Sequence, residues 1–136
     1  MPLINYVRRK SENLSTAIES IYGLKVDGAA DKGLQIASET FTEMLGFDLQ
    51  KALNLKLEDF MAEVLKNNYS LSFLESFCQI ISDTADIYKD LEENGKAENL
   101  YNKSVLLLKH ITQNDKTYSL EREERIGDLE EKLNIK

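Results

Sequence analysis

The sequence predicts an all-α fold, and three observations carry that reading. Apolar residues recur at steps of three and four along most of the chain, the spacing that lines one face of a helix. The only proline is Pro2, where it can interrupt nothing. A hydrophobic fraction of 42% in 136 residues is enough for a core without disulfide or metal staples, since a domain of this size buries roughly two-thirds of the surface its unfolded chain exposes. The expected architecture is a helical-hairpin array of about five to six helices in one domain over 1–136. N-terminal helices fill 3–66, a hairpin fills 72–113 and a closing helix fills 119–134.

The first helix is expected from Leu3 to Tyr22, with Ile4, Val7, Leu14, Ile18 and Ile21 on one face and Ser11 the one polar member of the series. Gly23 is its expected stop, and Leu24 to Asp31 the expected flexible connection. A second helix should run from Asp31, as cap, to Leu45, carrying Leu34, Ala37, Phe41, Met44 and Leu45, with Gly46 ending it. Phe47, Leu49, Leu53, Leu55 and Leu57 mix spacings of two and four. They predict a short helical turn over Leu49 to Leu53, then a helix over Leu57 to Leu65 closed by Lys66-Asn67-Asn68.

Ser72-Phe73-Leu74-Glu75 fits a capping box, in which the serine oxygen and the glutamate each satisfy an early amide. It predicts a long helix from Ser72 through Phe77, Cys78, Ile81, Ala85 and Tyr88 to Glu93, a break at Asn94-Gly95, and a second helix from Lys96 to Gln113. The inward residues of that second helix are Ala97, Leu100, Tyr101, Ser104, Leu107, Leu108 and Ile111. Asn114 to Thr117 reads as a turn. Ser119 should cap a last helix in which Ile126, Leu129 and Leu133 form a narrow stripe among nine charged residues between Glu121 and Lys132.

Within the hairpin, Ile81-x2-Thr84-Ala85-x2-Tyr88 is followed after eight residues by Ala97-x3-Tyr101-x2-Ser104. These intervals resemble the tetratricopeptide repeat, a helix-turn-helix of about 34 residues with small residues where its helices approach closely. Ile81 stands for the family's tryptophan, Thr84 for its leucine and Ala85 for its glycine. The closing proline is absent, with Lys109 near its place, and no second copy appears upstream. The chain as a whole also resembles small bacterial all-helical proteins with a repeat-like C-terminal half, which implies a fold and no activity. The repeat resemblance implies a peptide-binding side formed by the first helix of the hairpin. By position its exposed candidates are Gln79, Ser82, Asp86, Lys89 and Asp90, which differ from the basic-and-asparagine carboxylate clamp of some family members.

A net charge of −7 argues against an extended nucleic-acid surface, which needs clustered Lys and Arg. The one basic run, Arg8-Arg9-Lys10, fans out around a helix and reads as a solvated face. No apolar stretch approaches the length of a membrane helix, and the N-terminal residues lack the order of a secretory signal, so a cytoplasmic location is expected. A single cysteine excludes an internal disulfide framework.

Residues for chemistry are few. Cys78, among Phe77, Ile80 and Ile81, reads as a buried thiol, and His110, late in a helix, as structural or exposed. Neither has the partners of a zinc site. Asp90-Leu91-Glu92-Glu93-Asn94-Gly95 imitates the start of a calcium loop, but its twelfth position is Tyr101, which cannot close one. The pairs Glu39/Glu43 and Asp83/Asp86 are spacings that acidic helices produce routinely, and Gly28 and Gly33 lack the lysine and spacing of a phosphate loop. The expectation is therefore a non-catalytic module without metal or cofactor, docking a protein or peptide partner or a second copy of itself. The alternative is a small-ligand protein or enzyme with a pocket between helices. Self-association is suggested by Phe47, Leu49, Leu53 and Leu55, which share no regular face.

Overall fold

The computed structural model describes the backbone of residues 2–134 and the side chains of residues 13–134. Among the described residues the chain is seven helices and no strand: α1 (Pro2–Val26), α2 (Ala30–Leu45), α3 (Leu49–Asn54), α4 (Leu57–Leu65), α5 (Leu71–Asp90), α6 (Asn94–Asn114) and α7 (Leu120–Asn134). The all-α array is as expected. The side chains of Arg8-Arg9-Lys10, and of Ile4 and Val7, lie outside the described residues.

Helix starts and stops show where local signals lose to tertiary ones. Gly23 does not end α1, which continues to Val26 and closes at Gly28, where φ is +75°. The last turn is held by Lys25, which reaches α5, and by Leu24, whose Cβ lies 3.7 Å from where a side chain on Gly33 would begin. Asp31 is not a cap but sits in the first turn of α2, where its charge suits the helix dipole. Gly46, with φ +82°, ends α2 as expected.

The cap of α5 is Ser70 rather than Ser72; its Oγ accepts from the Phe73 amide at 3.1 Å. With Ser70 as the cap, Ser72 falls inside the first turn and cannot cap, and Glu75 accepts from Arg122 on α7. Nor is Asn94-Gly95 the break, for these two residues begin α6. α5 closes through a Schellman motif: the Glu92 amide donates to Lys89 and the Glu93 amide to Tyr88, with Glu92 left-handed at φ +62°. A glutamate therefore occupies a position that favours glycine. Ser119 caps α7 as the sequence indicates, its Oγ accepting from the Arg122 amide at 3.2 Å.

Contacts between helices fix their directions. Leu24 approaches Gly33 and Asn13 bonds Glu43, so α1 and α2 are antiparallel. Gly33 lies against Ile87 and Phe41 packs on Phe77, so α2 and α5 are antiparallel and α1 is parallel to α5. Asp86 bonds Tyr101 and Cys78 approaches Ser104, which makes α5 and α6 antiparallel. Arg122 bonds Glu75 and Lys132 bonds Asp86, which makes α7 parallel to α5. Three parallel helices, α1, α5 and α7, thus bring their C-terminal ends to one edge.

The α5–α6 crossing uses the small residues expected of it. Ser82 and Ser104 share a hydrogen bond of 2.7 Å in the buried seam, and Ala85 and Ala97 are buried nearby. Phe41, Phe60, Phe77, Ile81, Leu100, Leu107 and Ile111 fill the core. Phe47, Leu49 and Leu53 are buried in it too, and Leu55 packs partly against it, so the residues whose spacing suggested self-association mostly serve this chain's own core. The short helix α3, capped by Asp48, turns them inward.

Two outcomes follow from this packing. Glu92→Gly is expected to raise the melting temperature, since relieving a left-handed non-glycine residue is worth about 1 kcal/mol before glycine's larger unfolded-state entropy is subtracted. Ser104→Leu is expected to lower stability by about 1–3 kcal/mol through overpacking at the α5–α6 crossing, measured by urea or thermal unfolding.

Candidate functional site

The edge where α1, α5 and α7 end is organised by Asp86. Its Oδ1 accepts from the Tyr101 hydroxyl at 2.5 Å and from Lys132 Nζ at 3.0 Å, and its Oδ2 accepts from Lys25 Nζ at 3.1 Å. Lys25 also bonds Asp83 Oδ1 at 3.0 Å, and that oxygen takes a further bond from Gln79 at 3.1 Å. Asp83 Oδ2 is buried without a partner. The ammonium of Lys132 stands 5.3 Å from the centre of the Tyr101 ring and that of Lys25 4.9 Å from the Tyr22 ring. One carboxylate on α5 is thereby bonded to α1, α6 and α7 together.

The electrostatics follow from this geometry. Burial resists ionisation of Asp86, but the hydrogen bonds from Tyr101, Lys132 and Lys25 outweigh it and hold the carboxyl below the usual carboxylate range. Burial likewise opposes the charge of Lys25, and the bonds and charges of Asp83 and Asp86 overcome it and raise its pKa. Burial and the bond to Asp86 raise the Tyr101 phenol well above its ordinary value. Each group is fixed in the protonation state that its neighbours need. This suits a structural network.

The five residues placed on the first hairpin helix by sequence separate into three groups. Ser82 is buried in the α5–α6 seam and offers nothing to a partner, a correction to its reading as exposed. Gln79 and Asp86 are half-buried and bonded within the chain. Lys89 and Asp90 are exposed. They border a cleft of about 370 Å³ that also meets Lys25, Val26, Asp86 and Lys132. Lys89 and Lys132 further line a neighbouring cleft of about 260 Å³ with Asn94, Ala97, Glu98 and Tyr101. A further cleft of about 210 Å³ is lined by Leu24, Gly28, Ala30, Ile87 and Leu91, with Lys25 and Asp90.

Exposed apolar side chains gather at the same edge. Tyr22 is 54% exposed, Val26 65% and Leu91 42%. The spacing of Tyr22 and Val26, one turn apart, puts them side by side on α1.

The remaining chemistry-bearing groups stand apart. Burial pushes the Cys78 thiol up to about 12, and it faces the Ser104 carbonyl at 3.9 Å, so no thiolate forms at neutral pH. His110 is half-buried late in α6 and has no acidic or nucleophilic partner among the described residues. Glu39 accepts from Gln35 and Glu43 from Asn13, so this carboxylate pair is engaged separately. No group of three or more metal-ligating side chains occurs among the described residues. Among the described residues no helix is long and apolar enough to cross a membrane.

Sequence reasoning missed Lys25, Lys132 and Lys103. The first two stand near helix C-termini, where a cation is ordinary, and nothing in the sequence indicates a shared carboxylate. Lys103 had a legible signal: it interrupts the line Leu100, Lys103, Leu107 on α6, and it is buried. Compared with protein-family models, with curated proteins and with solved structures, the chain matches none.

Asp86→Asn tests the network. A carboxyl with a depressed folded-state pKa contributes stability above its unfolded value, and that stability is lost as pH falls through the folded pKa. The substitution is expected to cost about 1.5–3 kcal/mol at pH 7, the range for hydrogen bonds to a charged group. It should also flatten the loss of stability between neutral pH and pH 3, measured by urea unfolding across that range.

Proposed function

We propose that the protein is a non-catalytic interaction module that docks a protein or peptide partner across the edge where α1, α5 and α7 end. The observation that carries this reading is the apolar surface left in water at this edge, by Tyr22 and Val26 one turn apart on α1 and by Leu91 at the end of α5, which lines a shallow cleft. Apolar side chains gathered beside a depression are what protein surfaces use as docking points. Lys89 and Asp90, at the rim, retain the partner-facing role given to them by sequence, whereas Gln79, Ser82 and Asp86 serve the fold.

The parallel run of α1, α5 and α7 with α2 and α6 antiparallel to it supports a tetratricopeptide-like array, in which α5 and α6 are the repeat and α7 packs as the closing helix beside them. The polar outer face of α7, with Glu121, Glu123, Glu124, Asp128 and Glu131 exposed, suits a terminal helix. An acidic chain with one buried thiol fits the cytoplasm. The small-ligand reading draws less support, because the clefts at this edge are open to solvent rather than enclosed and the Asp86 network beside them is bonded within the chain.

The test is affinity capture followed by a binding measurement with each purified candidate, comparing wild type with a Tyr22→Ser, Val26→Ser double variant and with Lys89→Glu. A partner whose affinity falls at least tenfold in the double variant, with the melting temperature unchanged, supports docking at this edge. A second copy as partner would appear as a dimer in sedimentation and be lost in the same variant. Partners that bind all three proteins equally would overturn this placement.

A further inference from the structure

Lys103 is a buried cation that no carboxylate pairs with among the described residues. Its side chain is buried, with the residue 2% exposed. Its Nζ donates to the Ala52 carbonyl at 2.6 Å and to Asn99 Oδ1 at 2.6 Å, and stands 5.3 Å from the centre of the Phe60 ring. One turn earlier on α6, the Asn99 amide donates to the Leu53 carbonyl at 2.9 Å. Ala52 and Leu53 belong to the last turn of α3, whose carbonyls have no partner within a six-residue helix. Two side chains of α6 therefore complete the end of a helix that cannot complete itself.

The groups around Lys103 are all uncharged. From α3 it meets a carbonyl, from α4 an aromatic ring, and from its own helix an amide oxygen. The carboxylates of these elements, Glu58, Asp59 and Glu63 on α4 and Glu98 on α6, make no ion pair with it, and Glu63 pairs with Lys66. Lys51 on α3 is turned to the Phe47 ring. A bare ammonium in such a place carries a desolvation penalty that a neutral amine, with the same two donated bonds, does not.

We infer that α3 and α4 form an arm latched to α6 through Lys103 and Asn99, and that a proton on Lys103 loosens this latch. Burial lowers the Lys103 pKa to about 8, whereas in an opened arm it returns toward the ordinary value of about 10.4. The sign follows directly. Between those two values the closed form holds fewer protons than the open one, so closure is favoured as pH rises and opening is favoured toward neutrality. Opening would uncover the buried faces of Phe60 and Val64 on α4, a surface separate from the edge around Asp86.

Hydrogen exchange followed by mass spectrometry on the full chain, from pH 7 to 9.5, tests the inference. Amides of 49–65 are expected to exchange ahead of those of 77–88 and 100–111. Their protection should rise with pH above about 8, approaching tenfold per unit as one proton is released on closure. Lys103→Met, which has no proton to lose, should show no such rise. Lys103→Arg, which stays charged throughout, should also show none and should keep the arm weakly protected, which preserves the test if the methionine variant fails to fold. Exchange of 49–65 in step with 77–88 would overturn the arm as a separate unit. A rise with pH that persists in either variant would overturn the role of Lys103.

Discussion

A carboxylate that accepts from three other helices constrains more of this molecule than any single apolar contact. Asp86 takes the tyrosine of α6 and the lysines of α1 and α7 on two oxygens, and each donor arrives from a helix with different neighbours. Hydrophobic packing is tolerant of small rotations and slides, because one apolar side chain can replace another against the same surface. Charged hydrogen bonds in a half-buried place are less so, since a displaced donor leaves a charge without compensation. The network thereby ties α1 and α7 to one register along α5. The extension of α1 past Gly23 belongs to the same constraint, for without its last turn Lys25 would not reach α5.

Arg122 repeats this device at the other end of α7. It is 5% exposed and bonds Glu75 on α5 at 2.9 Å and Asp115 before α7 at 2.7 Å. Two cations about three turns apart on α7 thus engage two carboxylates on α5, and a helix with a narrow apolar stripe is aligned by charge rather than by area. Ile126 and Leu129 bury the stripe. Lys103 differs in kind. It has no opposing charge, so it aligns α3 by completing the carbonyl end of that helix and pays desolvation throughout the neutral range.

The sequence made the helices legible and hid how they are joined. Periodicity located the longer helices, because the apolar spacing of each reflects the surface that it buries, whereas the irregular spacing after Phe47 indicated only a short helical turn where α3 forms. The terminal signals did less well. Ser72 and Glu75 form a capping box on paper, but Ser70 lies two residues earlier in the same polar loop and Glu75 has a better partner in Arg122. Asn94-Gly95 looks like a break, yet the turn closes through Glu92, whose backbone conformation no local propensity indicates. The residues of the Asp86 network lie at 25, 83, 86, 101 and 132, and only the fold brings such separations together. Ser82 was misplaced for a related reason: helical position gave its direction but not the closeness of α6 on that side.

The same logic explains what the edge leaves for a partner. Lysines near helix C-termini complement the helix dipole, and at this edge Lys25 and Lys132 are further committed to Asp83 and Asp86. A partner that relied on these cations would have to compete with bonds on which the fold depends. Tyr22, Val26 and Leu91 carry no such commitment, and covering them releases water at no cost to the network. On the proposed docking reading, recognition at this edge would fall to apolar contact, with Lys89 and Asp90 setting orientation, while the charged groups beneath keep the three helix ends together.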